Sequence, residues 1–338
     1  MNNPIDALLA EKGVLLADGA TGTNLFAMGL ESGEAPELWN ETHPERVRAL
    51  HQGFVDAGAD IILTNSFGGT RYRLKLHNAE DRVHELNRKA AELAREVVAG
   101  AGRRVIVAGS VGPTGALLQP LGELTFEDAV EAFAEQIAGL KEGGAEVAWI
   151  ETMSAPEEIR AAAEAAIRVG LPYTYTGSFD TAGRTMMGLA PADIYGVSEG
   201  LAEKPVAVGA NCGVGAADIL ASLLDMTESR PDVTAIVKGN CGIPEFRGAE
   251  IHYSGTPELM ADYVRLAVDG GARIIGGCCG TSFAHLKAMR AALDGHSKAA
   301  RPTVADVVSR IGPLRNKPAN QSGAGSEGGR RERRRARA

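Results

Sequence analysis

The chain has 338 residues, of which 44% are hydrophobic, which is typical of a soluble globular protein with one large domain or two ordinary ones. Its formal net charge of −8 argues against nucleic acid as the main partner, because binding a phosphate backbone requires a basic surface. The sequence has no run of about 18 apolar residues, so we expect no membrane-spanning segment.

Eight short apolar runs, each bounded by glycine or turn residues, predict β-strands. Segments with helical spacing of Ala, Glu, Arg and Leu lie between them, for example residues 80–98 and 156–170. Eight parallel strands that alternate with helices predict a (β/α)8 barrel, the TIM barrel, as a single α/β domain over residues 1–312, with a doubly wound open sheet as the alternative. The predicted strands cover residues 14–20, 61–67, 104–110, 147–152, 173–179, 206–212, 235–240 and 273–279.

The pattern fades toward the end of the sequence. Residues 305–312 predict one more short helix, and residues 318–338 are poor in apolar residues and rich in Gly, Ser and Arg. We expect this basic segment to be a disordered, solvated tail. Its last nine residues carry +5, so the other 329 residues carry −13.

The cysteines indicate chemistry rather than crosslinks. The first residues, MNNPIDALLAEKG, lack the basic and apolar regions of a secretory signal, so we expect a cytoplasmic protein. Four cysteines, at positions 212, 241, 278 and 279, are too few and too scattered for a disulfide scaffold. In a chain without an export signal, such a cluster indicates metal or redox chemistry.

Three of the cysteines are predicted to meet at the mouth of the barrel, where chemistry takes place in this fold. Cys212 ends the sixth predicted strand, and Cys278 and Cys279 end the eighth. Three thiols from separate elements suit Zn²⁺ and leave one coordination position open, as in catalytic zinc sites. Small buried thiols and a redox disulfide between Cys278 and Cys279 are the alternatives. Cys241, after the seventh strand, is expected to be a spare thiol.

A zinc ion held by three thiolates predicts a particular chemistry. Such a site has a net charge near −1, which disfavours the activation of water. It suits the binding of one more thiol, which loses its proton and becomes a nucleophile. None of the seven histidines has the H-x-x-x-H spacing of a metal pair. The sequence therefore predicts alkylation of a thiol by displacement.

Two carboxylates and a glycine-rich loop predict how the thiol substrate is recognised. The loop DGATGT (18–23) follows the first strand, and its backbone N–H groups could hold a carboxylate. Asp18, in this loop, and Glu151, at the end of the fourth strand, would suit an ammonium group. The alternative role for Glu151 is an N-cap of the next helix. A thiol that carries both groups is an amino-acid thiol.

Six motifs resemble the homocysteine S-methyltransferase family, which includes betaine–homocysteine methyltransferases and the homocysteine domain of cobalamin-dependent methionine synthase. The resemblance covers roughly residues 11–295, and GANC with GGCCGT is its most specific part. The motifs are DGATGT, TNSFGG (64–69), GSVGPTG (109–115), ET (151–152), GANCG (209–213) and GGCCGT (276–281).

This resemblance implies a (β/α)8 barrel that produces methionine from homocysteine and a small methyl donor. It implies that Cys212, Cys278 and Cys279 hold Zn²⁺ and that the homocysteine sulfur completes the tetrahedron. Asn240 lies where an asparagine can be the fourth ligand before the substrate arrives. By the same resemblance, the amino-acid end of homocysteine is bound by Asp18, Gly19, Ala20 and Glu151.

The resemblance leaves the methyl donor open. Betaine is expected first, and its ammonium group would need aromatic neighbours such as Trp39, Tyr72, Trp149 or Tyr173. However, Gly68 stands where animal-type betaine enzymes have a tyrosine, and TNSFGGT is more similar to the methionine synthase domain. The second donor is a corrinoid or folate methyltransferase protein that would serve a free-standing module of a split methionine synthase. A sulfonium such as S-methylmethionine is the third, and a zinc-dependent binding or scaffold module is the non-enzymatic alternative.

Overall fold

Eight parallel strands form one sheet that curls into a barrel. A computed structural model of the protein describes residues 3–242, 244–247 and 250–316. Its barrel strands are β1 (Leu15–Leu16), β2 (Ile61–Leu63), β3 (Ile106–Val111), β4 (Val147–Met153), β5 (Tyr173–Gly177), β6 (Ala207–Cys212), β7 (Ala235–Gly239) and, after a hairpin of β8 (Pro244–Arg247) and β9 (Glu250–Tyr253), β10 (Ala272–Gly277).

The strand order confirms the predicted (β/α)8 barrel. It runs β1-β10-β7-β6-β5-β4-β3-β2, and a parallel bridge between Ala17 and Ile61 joins the two ends of the sheet. The antiparallel hairpin β8–β9 is an addition that the hydrophobic pattern does not predict.

Helices follow the barrel strands, and local sequence signals set their ends. Thr125 begins one helix by accepting a hydrogen bond from the backbone N–H of Asp128, and Pro156 begins the next one. The helices predicted over 80–98, 156–170 and 305–312 are confirmed. In the described residues the helices are α1 (Pro4–Lys12), α2 (Gly22–Ala27), α3 (Trp39–Thr42), α4 (Pro44–Asp56), α5 (Arg71–Leu74), α6 (Val83–Ala99), α7 (Phe126–Glu142), α8 (Pro156–Val169), α9 (Ala216–Ser229), α10 (Pro257–Asp269), α11 (Phe283–Asp294) and α12 (Val304–Ile311).

The inner face of the barrel changes from apolar to polar toward the C-terminal ends of the strands. Alternate strand residues such as Trp149 and Ile236 form an inner cluster with α1, whereas their neighbours along the strands pack with the outer helices. Two residues further along the same strands come Glu151 and Lys238, which are buried as well. The fold therefore places charged side chains next to the apolar inner cluster, on the side of the C-terminal strand ends.

The close packing of β6 against β7 depends on Gly209, in the GANCG motif. A Cβ atom on Gly209 would lie 1.9 Å from the backbone oxygen of Ile236. We expect Gly209→Ala to lower the free energy of unfolding by about 2 kcal/mol or more, because backbone atoms would have to move. Gly196→Ala is the control, since a Cβ there meets no atom within 4 Å. Urea denaturation measures the stability of both variants. An unchanged midpoint for Gly209→Ala would contradict the close contact between β6 and β7.

The sequence also predicts that the chain has no membrane-spanning segment and ends in a disordered tail. Among the described residues, no helix combines the length and the apolar character needed to cross a membrane. The segment 318–338, which the sequence predicts to be a disordered tail, lies outside the described residues.

Candidate metal centre and substrate site

Three cysteine side chains meet at the C-terminal end of the barrel. Cys212 is the last residue of β6, and Cys278 and Cys279 directly follow β10. Because β6 and β10 flank β7, the thiols converge, and the three Sγ atoms lie within 4.8 Å of one another. All three side chains are half-buried. The structure therefore brings these cysteines together, and their roles as ligands stay predictions.

A tight turn directs the adjacent thiols of Cys278 and Cys279 to one place. The N–H of Cys278 still donates to Gly239 O of β7 at 2.7 Å, but the N–H of Thr281 donates to Cys278 O at 3.1 Å, which ends the strand. The N–H of Cys241 donates to Cys279 O at 2.9 Å and holds the turn against the loop after β7. Neighbouring side chains on a regular strand point to opposite faces, so leaving strand geometry allows both sulfurs to approach Cys212.

Asn211 connects the cysteine cluster to the ends of β4 and β5. Its Oδ1 accepts hydrogen bonds from the Thr152 N–H at 2.7 Å and the Thr176 hydroxyl at 2.6 Å. Its Nδ2 donates to Thr152 Oγ1 at 2.7 Å and lies 3.9 Å from Cys278 Sγ. Thr152 and Cys212 have φ values of 62° and 60°, a left-handed conformation that costs free energy in residues other than glycine. Asn211 therefore holds two strained strand ends in place.

Asn240 offers a candidate fourth donor to the cluster. Its Nδ2 donates to Gly213 O at 2.8 Å and lies 3.8 Å from Cys212 Sγ. Its Oδ1 is buried and has no hydrogen-bond partner among the described residues. Buried amide oxygens are rarely left unpartnered in proteins, so this oxygen suits a ligand position beside the thiols.

The thiols disfavour one another's ionisation. The pKa of Cys212 is raised to about 12, chiefly by its hydrogen bond to Cys278. The pKa of Cys279 is raised to about 11, chiefly by its hydrogen bond to Cys212. Three thiolates this close together are favourable only with a cation among them, and Zn²⁺ takes such ligands in tetrahedral geometry. The donor set therefore fits zinc.

Cys241 lies outside the cluster of three thiols. Its side chain is fully buried, and its Sγ lies 3.4 Å from Gly255 O. Burial raises the pKa of this thiol to about 12. These contacts are those of a packing residue.

A buried ion pair joins β7 to the loop after β1. Lys238 Nζ lies 2.5 Å from Asp18 Oδ1, and Asp18 Oδ2 accepts a hydrogen bond from the Leu63 N–H at 2.7 Å. Burial raises the pKa of Asp18, and Lys238 lowers it in part. Burial alone would lower the pKa of Lys238, but Asp18 and then Glu151 outweigh burial and raise it. The cation that Asp18 faces in the structure is therefore a lysine of the chain itself.

Glu151 lies on β4 in the same polar layer. Its Oε1 accepts a hydrogen bond from the Ser110 hydroxyl at 2.5 Å, and burial raises its pKa. Glu151 is not a helix N-cap, because Ala155 precedes the first residue of α8. In the loop after β1, the N–H of Ala20 donates to Thr281 O at 3.1 Å, and Gly19 packs against the Phe54 ring. The roles of these residues in binding the amino-acid end of homocysteine stay predictions.

Asn211 and Lys238 lie among the polar residues near the ends of predicted strands 206–212 and 235–240, but their chemistry there could not be predicted from the sequence. Both lie on inward-facing strand positions: Asn211 is two residues after Gly209 on β6, and Lys238 is two residues after Ile236 on β7. The alternation of strand residues, followed to the last inward position before each loop, was the signal that could have identified them. Neither residue type is a usual zinc ligand, so a search for metal ligands passes over them.

A large cavity lies away from the cysteines. It measures about 790 Å³ and opens at the N-terminal ends of the strands. Lys12, Arg103 and Arg290 line it, and all three pair with the buried carboxylate of Asp60. Asp294 is a second carboxylate on Arg290, so two negative charges offset two of these three positive charges. None of the three clustered cysteines lines this cavity.

Comparisons with known proteins identify the family of the chain. The sequence profile described as homocysteine S-methyltransferase matches residues 15–293. Methionine synthase of Mycobacterium tuberculosis is 29% identical over 298 residues, which are 83% of this chain, but the chain spans only 24% of that protein's length.

Solved structures show the same relationship. The oxidized form of the homocysteine methyltransferase MmuM from Escherichia coli is 27% identical, with a TM-score of 0.72 over 86% of this chain and 99% of that chain. Its metallated form has the same identity and coverage and a TM-score of 0.71. The profile match alone extends over most of the barrel, including all three clustered cysteines. The chain therefore belongs to the homocysteine S-methyltransferase family.

Proposed function

We propose that the protein is a zinc-dependent homocysteine S-methyltransferase that produces methionine. The observation that carries the proposal is the cluster of three cysteine thiols within 4.8 Å of one another. Beside it lies Asn240, whose Nδ2 is 3.8 Å from Cys212 Sγ and whose Oδ1 has no hydrogen-bond partner in the part of the chain that the structure describes. Family membership supports the reaction, and the metallated form of MmuM supports the metal.

The proposed ligands are Cys212, Cys278 and Cys279, with Asn240 in the fourth position before homocysteine binds. When bound, zinc would lower the pKa of the homocysteine thiol, so that the sulfur reacts as a thiolate at neutral pH. Asn211 would keep the cysteines in position through its hydrogen bonds to the strand ends.

The remaining polar residues would orient the substrate. Glu151 would accept the ammonium group of homocysteine, and the loop of Asp18, Gly19 and Ala20 would lie along its amino-acid end. With the substrate held at this end, its sulfur can attack a methyl group in line, which lowers the barrier through orientation. A bond forms between sulfur and the methyl carbon, and the donor leaves with the electron pair of its former bond to that carbon.

We propose betaine as the methyl donor, with neutral dimethylglycine as the leaving group. The likeness to MmuM, a homocysteine methyltransferase, supports homocysteine as the methyl acceptor. Tyr253 offers an aromatic ring near the cluster, because its ring lies against Gly280 and its hydroxyl interacts with Cys279. Such a ring can bind a quaternary ammonium group.

The aromatic residues that the sequence nominated for betaine lie elsewhere. Trp149 and Tyr173 are buried within the fold, and Trp39 is buried with Arg46 over its ring at 4.9 Å. Tyr72 is half-buried on α5. Tyr253 therefore replaces these four residues as the proposed aromatic contact.

Zinc-loaded protein is expected to form methionine from homocysteine and betaine with no other protein present. Tyr253→Leu should raise the KM for betaine by about tenfold, the loss expected for one cation–π contact, and leave the KM for homocysteine unchanged. Tyr72→Leu is the control and should leave both constants unchanged. Absence of turnover, with zinc and homocysteine bound, would contradict betaine as the donor.

A methyl-carrying partner protein, such as a corrinoid protein, is the second candidate donor. One observation favours it: six exposed apolar side chains lie in the segments that follow β1, β2, β3 and β5, around the mouth of the barrel. The relative named methionine synthase is about four times as long as the segment matched here. If methionine forms only when a methylated corrinoid protein is added, this candidate is supported. If methionine forms with S-methylmethionine, a sulfonium donor is supported instead. The six residues are Phe26, Phe67, Leu117, Leu121, Met186 and Met187.

A further inference from the structure

We propose that Lys238 is the permanent counter-ion of Asp18, so that Glu151 alone receives the ammonium group of the substrate. This inference rests on the proposed function and assigns a positioning role to a residue outside the predicted site. It also changes the expected role of Asp18, from a substrate contact to one half of an internal ion pair.

Both carboxylate oxygens of Asp18 already have a partner within the chain, and its negative charge is already paired with a lysine. Oδ1 lies 2.5 Å from Lys238 Nζ, and Oδ2 accepts the Leu63 N–H at 2.7 Å. Both charged side chains are only 2% exposed. An ion pair this deeply buried persists because separating it would leave a charge without a partner.

A glycine on the neighbouring strand leaves space for the Lys238 side chain. Lys238 on β7 pairs in register with Gly276 on β10, the first glycine of GGCCGT. A Cβ atom on Gly276 would lie 2.9 Å from Lys238 Cγ, so a larger residue would obstruct the path of the side chain to Asp18. Further along, Nζ lies 5.9 Å from the centre of the Trp149 ring. Gly276 therefore leaves the space through which the Lys238 side chain reaches Asp18.

Glu151 is the carboxylate that remains for the substrate. Among the described residues it has no cation within 4 Å, and its hydrogen bond comes from the neutral Ser110 hydroxyl. With all three groups ionised, Asp18, Lys238 and Glu151 carry one net negative charge, which one ammonium group neutralises. We therefore expect the site to prefer a thiol with an ammonium group, and to owe that preference to Glu151.

The test compares the binding of homocysteine and 4-mercaptobutanoate, which is the same thiol acid without the ammonium group. Calorimetry on zinc-loaded wild-type protein should show at least a tenfold preference for homocysteine, and Glu151→Gln should remove it. Asp18→Asn should also reduce the preference, because the freed ammonium of Lys238 then competes with the substrate for Glu151. The double variant D18N/K238Q should restore it to within about threefold of wild type.

The restoration by the second substitution separates this role from a structural one. If Asp18 bound the substrate directly, the double variant would lose the preference as Glu151→Gln does, and the proposal would be wrong. Zinc content and the thermal midpoint, measured on every variant, identify loss of fold. Wild-type protein that holds zinc but binds neither thiol would contradict the proposed function instead.

A crystal structure of the wild-type complex with homocysteine answers the same question without substitutions. We expect the amino nitrogen within about 3.2 Å of the Glu151 carboxylate, with Lys238 still on Asp18. An amino nitrogen at that distance from either carboxylate oxygen of Asp18 would overturn the proposal even if the double variant does not fold.

Discussion

Replacing Cys278 with alanine is expected to reduce bound zinc from about one ion per chain to an undetectable level, and methionine formation by at least ~10³-fold. The proposed site has three thiol ligands, so the loss of one leaves two thiols and a weakly binding amide oxygen. Without the metal, the homocysteine thiol keeps its proton at neutral pH and is a poor nucleophile. Cys212→Ala and Cys279→Ala should behave alike. Elemental analysis after gel filtration gives the zinc content, and mass spectrometry gives the methionine formed.

Cys241→Ala is the matched control for these variants. It also removes a buried thiol near the barrel mouth, but its sulfur contacts Gly255 O and lies outside the cluster. We expect its zinc content and turnover to equal those of the wild type. A variant with alanine at all three clustered positions that remained fully active without metal would refute the proposed chemistry.

The sequence predicted the barrel and the convergence of the cysteines because both depend on chain order. Eight apolar runs separated by helical segments specify parallel strands, and parallel strands place their C-terminal ends at one mouth. Cys212 ends one of the two strands that flank β7, and Cys278 directly follows the other. No side-chain geometry is needed for that conclusion.

The partner of Asp18 could not be predicted in the same way. Whether a cation reaches this carboxylate depends on the register of β7 against β10, which places Lys238 opposite Gly276, and on the length of the lysine side chain. The apolar pattern fixes which face a strand residue lies on, but not its depth in the barrel. For the same reason, the pattern could not show that Trp149 and Tyr173 lie within the core rather than at the mouth.

Removal of Asn211, a polar strand-end residue to which the sequence assigns no role, should also have a large effect. Asn211→Ala is expected to weaken zinc binding by about 10- to 100-fold, the range seen when residues that orient metal ligands are removed. It should also lower the free energy of unfolding by about 3 kcal/mol, because the N–H of Thr152 and the hydroxyl of Thr176 lose their shared acceptor. Competition with a chelating dye measures the affinity, and urea denaturation measures the stability.

Asn87→Ala separates the two effects of the Asn211 substitution. Asn87 is also a buried asparagine, and its Nδ2 donates to the backbone oxygens of Gly69 at 2.9 Å and Val83 at 2.7 Å. Its removal should cost about 1–3 kcal/mol of stability and leave zinc affinity within about twofold of wild type, since it bonds to neither the cysteines nor their strand ends. Equal zinc affinity in the Asn211 and Asn87 variants would mean that Asn211 supports the fold without positioning the thiols. A loss of zinc affinity in Asn211→Ala alone would instead show that Asn211 positions the thiols. Asn211 lies next to Cys212 in the chain, donates to Thr152 and contacts Cys278. The strained conformations of Thr152 and Cys212 would then be part of the metal site.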